Sequence, residues 1–85
     1  MPDAKKALEN IITNIISPYV DDDLQFKYSY DFIEVCLSDG YRNLMVISRY
    51  SIEQNFDIPF RAIIFPSTLN AIQDLAYEIM DECDE

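Results

Sequence analysis

Residues 32–47 read FIEVCLSDGYRNLMVI, two apolar runs on either side of Asp39-Gly40. Gly40 is the only glycine in the chain. Asp-Gly between such runs is a preferred two-residue hairpin loop, because both loop positions take positive φ. With that loop, Ser38 faces Tyr41, Val35 faces Leu44 and Ile33 faces Val46, while on the other side Phe32 faces Ile47 and Glu34 faces Met45. One face is aliphatic and is expected to meet helices. The other mixes Phe32, Met45 and Ile47 with Glu34.

Upstream, Leu24, Phe26, Tyr28 and Tyr30 alternate with Gln25, Lys27, Ser29 and Asp31. Period two with aromatic residues predicts a strand. Residues 24–37 are then one bent strand or two, since a straight strand that long is unusual. Downstream, residues 51–59 are polar with isolated Ile52, Phe56 and Ile58, which predicts a loop, with or without a short helical turn. Phe60 to Phe65, bounded by Pro59 and Pro66, predicts a further strand.

A helix is expected at each end. Ala4, Ala7, Leu8, Ile11, Ile12, Ile15 and Ile16 form a stripe of 3.6-residue period, with Asp3 as N-cap and Ser17-Pro18 as the stop. Leu69, Ile72, Leu75, Ala76, Ile79, Met80 and Cys83 form the second stripe, capped by Ser67 or Thr68 after Pro66. No glycine or base closes that helix, and acids there oppose its dipole, so its last turn is expected to fray. The order α-β-β-(β)-β-α predicts one α+β domain over residues 1–85. It has two layers, an antiparallel sheet of three to four strands with both helices on one face.

The chain of 85 residues carries a formal net charge of −10, unevenly placed. Asp21, Asp22, Asp23, Asp31, Glu34 and Asp39 stand against Lys27 alone in residues 21–41, and residues 62–85 contain acids and no base. Such a chain repels nucleic acid and anionic membranes, so neither is an expected partner. No apolar run approaches the roughly 18 residues of a membrane span, and polar Met1–Asn10 lacks the apolar core of a signal peptide. A cytoplasmic protein is expected, with Cys36 and Cys83 as reduced thiols.

Catalytic chemistry is hard to assemble from these residues. With no histidine there is no Ser-His or Cys-His pair, and one glycine makes no phosphate-binding loop. An EF-hand beginning at Asp21 would need glycine and glutamate where Phe26 and Phe32 stand. No enzyme activity, catalytic residue, cofactor or metal is expected.

Binding is the better expectation. Asp74, Glu78, Asp81 and Glu85 fall within about 60° of one another on a helix, roughly 150° from the apolar stripe, with Glu82 beside them. This is an acidic ridge with no lysine or arginine in the helix to relieve it. It serves either as a rail for a basic groove or as a solvated face. Asp21, Asp22 and Asp23 form a second acidic group. Tyr41, at the hairpin tip, and Tyr77, near the ridge, are the tyrosines expected to be exposed and to supply contact energy. Tyr28 and Tyr30 are expected to cover the sheet. Phe32, Met45 and Ile47 are expected to form an apolar patch, suited to a homodimer unless residues 51–59 fold over it.

Three functions fit. The first is a non-enzymatic inhibitor that blocks a basic, nucleic-acid-binding protein in the manner of DNA-mimic, anti-restriction or anti-CRISPR proteins of phages and mobile elements. The second is a small dimeric adaptor or chaperone-like module that binds through its sheet face. The third is an antitoxin or immunity protein.

Overall fold

The computed structural model describes residues 3–38, 43–54 and 64–83. The expected Asp39-Gly40 loop and most of the strand expected at 60–65 lie outside them. The element order is α1 (Ala4–Ile16), β1 (Leu24–Tyr28), β2 (Phe32–Leu37), β3 (Asn43–Ser48), β4 (Ile52–Gln54) and α2 (Pro66–Glu82). The strands form one antiparallel sheet in the order β1-β2-β3-β4, and with the two helices give the expected two-layer α+β arrangement.

Each helix starts for a local reason. The Asp3 carboxylate accepts from the N–H groups of Lys5 (3.1 Å) and Lys6 (3.5 Å), satisfying donors that have no partner within the helix. α2 begins two or three residues earlier than expected, at Pro66, with Phe65 rather than Ser67 or Thr68 in the cap position and no side-chain cap. Proline suits the first helical position because its missing N–H would be unpaired there anyway.

Residues 24–37 form two strands, not one. The Tyr30-Asp31 loop separates them, held by Ser29, whose hydroxyl donates to the Phe32 carbonyl (2.8 Å) and accepts from the Phe32 N–H (3.2 Å). The segment expected to be a loop after residue 50 contains β4. A second tight loop, Arg49-Tyr50, leads into it, and the Ser48 hydroxyl accepts from the N–H groups of Tyr50 (3.3 Å) and Ser51 (3.1 Å).

The β2–β3 register differs from expectation and changes the meaning of the sheet. Cys36 pairs with Asn43, as an Asp39-Gly40 loop requires, but Val35 pairs with Met45 and Ile33 with Ile47. Leu44 is therefore the extra residue of a β-bulge. A one-residue slip moves a strand's side chains to the other face. Met45 and Ile47, expected outside, lie in the core with Leu8, Ile12, Ile33, Val35, Ile72 and Ile79, and none of these exposes more than a trace of surface. Leu44 is buried as well. On the face away from the helices the apolar patch shrinks to Phe32 and half-buried Val46. Beside them Asn43 links Cys36 (3.1 Å) to Glu34 (3.1 Å).

α1 reaches β1 through Tyr28. Its hydroxyl donates to the Glu9 carboxylate, and the Lys5 ammonium lies 4.8 Å from the centre of its ring. Burial, together with the Glu9 carboxylate, pushes the Tyr28 phenol above its ordinary value. In the unfolded chain that phenol titrates near pH 10. The stability it contributes is therefore present below about pH 10 and lost as the pH rises beyond it. Melting temperatures measured across that range should fall at alkaline pH, and Tyr28→Phe should flatten the fall.

Candidate functional site

The two tight loops lie at the same end of the sheet, and Arg49 ties them together. Its Nη2 donates to the Tyr30 carbonyl at 3.3 Å and its Nη1 to Asp81 at 3.0 Å. One turn of α2 after another docks on the Arg49 loop. Gln73 donates to the Ser48 carbonyl (2.7 Å), the Tyr77 hydroxyl to the Arg49 carbonyl, and Asp81 takes the guanidinium. Residues spaced by four lie on one helix flank, so this row also sets the azimuth of the row beside it.

That neighbouring row is Asp74, Glu78 and Glu82, all exposed. No described basic side chain pairs with any of them. The expected ridge is thus divided. Asp81 is relieved by an arginine from a distant part of the chain, and three carboxylates remain on the open face. Glu85 and Tyr41 lie outside the described residues.

Several exposed aromatic residues belong to this end of the molecule. Tyr77 stands between the loop and the acidic row and keeps 37% of its surface exposed. Tyr30 and Tyr50 occupy the two loops, and Tyr50 is 93% exposed. Phe32 opens β2 on the face away from the helices and is 39% exposed. Tyr30 does not cover the sheet as expected, because the turn at 29–31 carries it past the strand end. Tyr28 does pack against the core. Tyr50 and Arg49 are the residues that sequence reasoning missed. The serine before each loop was the available signal, since its hydroxyl replaces the missing glycine by pairing with loop backbone.

Asp21, Asp22 and Asp23 are exposed but do not join this surface. The Asp23 carbonyl accepts from the Ser38 N–H (2.9 Å), which places the triplet at the far end of β1, about 20 Å along the strand from Tyr30. Among the described residues no three acidic or sulfur side chains converge closely enough to hold a metal. No described helix is long and apolar enough to cross a membrane.

No family model, curated protein or solved structure matches the chain.

The Tyr77 bond to the Arg49 carbonyl is, with that of Gln73 to the Ser48 carbonyl, a neutral anchor of α2 on the sheet. Tyr77→Phe should cost about 1 kcal/mol in denaturant unfolding. Tyr50→Phe, at a ring that touches little, should leave the midpoint where it is.

Proposed function

We propose that this is a non-enzymatic, cytoplasmic binding protein that lays the acidic face of α2 against a basic, nucleic-acid-binding surface of a partner protein and blocks it. The unpaired row Asp74–Glu78–Glu82, edged by Tyr77, Tyr30 and Tyr50, carries the reading. Successive carboxylates on the row are four residues apart, about 6 Å along the axis. That is of the same order as the charge spacing of a nucleic-acid strand. The carboxylates would steer encounter, and the tyrosines, rigid and amphipathic, would supply most of the contact energy. A counter-defence inhibitor of the anti-restriction or anti-CRISPR kind has these properties. Burial of Met45 and Ile47 removes the apolar patch on which a dimer through the sheet face would depend.

The test is capture from host lysate on the immobilised protein, with elution along a salt ramp. A basic nucleic-acid-binding protein should elute early, and the purified inhibitor should compete with nucleic acid for it. A captured partner that resists high salt, or that binds the triply neutralised protein D74N/E78Q/E82Q equally well, would overturn the proposal.

A further inference from the structure

A second surface lies on the opposite flank of the helix layer, at the outer edge of β1. The Ser38 N–H donates to the Asp23 carbonyl (2.9 Å) and the Ser29 N–H to the Phe32 carbonyl (3.1 Å). Hydrogen-bonded pairs alternate along an antiparallel ladder, so Asp23, Gln25, Lys27 and Ser29 turn their backbone groups toward β2. The N–H and C=O groups of Leu24, Phe26 and Tyr28 therefore point outward. β1 is an edge strand, and no described residue pairs with this outward row.

Beside that edge runs a groove of about 560 Å³, between β1 and the Glu9–Ser17 flank of α1. Its floor is apolar, built from Ile16, Val20, Leu24 and Phe26. Its rim is carboxylate, from Glu9, Asp21, Asp22 and Asp23. Two of the three described lysines turn away from that rim, and the third, Lys6, is exposed in the first turn of α1. Lys5 is engaged over the Tyr28 ring, and Lys27 projects from the other face of the sheet.

We infer that β1 accepts an extended basic segment of a partner protein as an added antiparallel strand. The outward groups of Leu24, Phe26 and Tyr28 supply the main-chain bonds, as in other strand-addition sites. Alternate arginine or lysine side chains of the segment enter the groove. Their aliphatic stems lie on the apolar floor and their charged heads reach the rim, which explains why floor and rim differ in character. This surface is separate from α2, and it stands whether or not the acidic row binds.

The experiment adds a short peptide of alternating arginine and threonine to the full chain and follows amide exchange and chemical shifts. The amides of Leu24, Phe26 and Tyr28 should gain at least about tenfold protection. The same peptide N-methylated at every arginine should bind at least about tenfold more weakly, because those amides face β1 in an antiparallel pairing. D21N/D22N/D23N should also weaken the unmodified peptide by about tenfold at low salt. Equal binding of the methylated peptide, or an equal response to spermine, would reduce the site to a cation-attracting cleft and overturn the inference. Protection of the same three amides without peptide, rising with protein concentration, would assign the edge to a second copy and overturn it too.

Discussion

Met45→Ala should destabilise the protein by about 2–5 kcal/mol, whereas Phe32→Ala should cost about 1 kcal/mol or less. The contrast follows from the bulge. A regular hairpin would put Met45 and Phe32 on one face and make both substitutions mild. The extra residue, Leu44, turns Met45 inward, where it packs with Ile33, Val35 and Ile47 and has no exposed surface. Truncating it leaves a cavity that a close-packed core relaxes into only partly. A small domain has only a few kcal/mol to lose, so the alanine protein should be largely unfolded well below the melting temperature of the parent. Urea denaturation of the two variants decides the matter. Comparable small losses would mean that Met45 is not in the core.

D74N/E78Q/E82Q should move stability and affinity in opposite directions. Asp74 and Glu78, and Glu78 and Glu82, are like-charged neighbours one turn apart, and each such pair costs a helix a few tenths of a kcal/mol. Removing them should raise the unfolding midpoint slightly, and more at low salt than at high salt. The same change should weaken the proposed partner complex about tenfold to hundredfold. Each exposed charge pair across an interface contributes up to about 1 kcal/mol, and 1.4 kcal/mol is a factor of ten. Retaining Asp81 in this variant matters, because its partner Arg49 also holds the Tyr30 carbonyl. Variant and parent compared by calorimetry, with the captured partner as titrant, separate the two effects. A row that served only solubility would show the gain in stability and no loss in affinity.

Much of the fold was legible because it rests on local signals. The 3.6-residue stripes marked both helices, period-two runs marked β1 and β2, and the apolar run after Asp39-Gly40 marked β3. The split of 24–37 was visible in principle. Inward positions are even at Leu24, Phe26 and Tyr28 and odd at Ile33, Val35 and Leu37, and a continuous strand cannot change phase. The bulge was hidden because residues 44–47 are apolar throughout, so no polar position marks the outward phase. β4 was missed because a three-residue strand carries hardly one period. At the candidate site, helix geometry placed Asp74, Glu78, Asp81 and Glu85 on one side of α2, with Glu82 beside them. The relief of Asp81 by Arg49 depends on a contact between distant parts of the chain that no local pattern encodes.

The connectivity of the sheet bears on how the chain folds. Each strand pairs with its neighbour in sequence, and three hairpins in series are contacts of low order that form early and fast. The helix layer is different, since Leu8 and Ile12 share their core with Ile72 and Ile79 from the other end of the sequence. Closing that long loop carries most of the ordering entropy, and nothing offsets it until α2 docks. On a ribosome the meander would emerge with only α1 available to cover its apolar face and wait for residues 66–82, so docking of the helix that bears the acidic row should be the step that commits the chain to its native state.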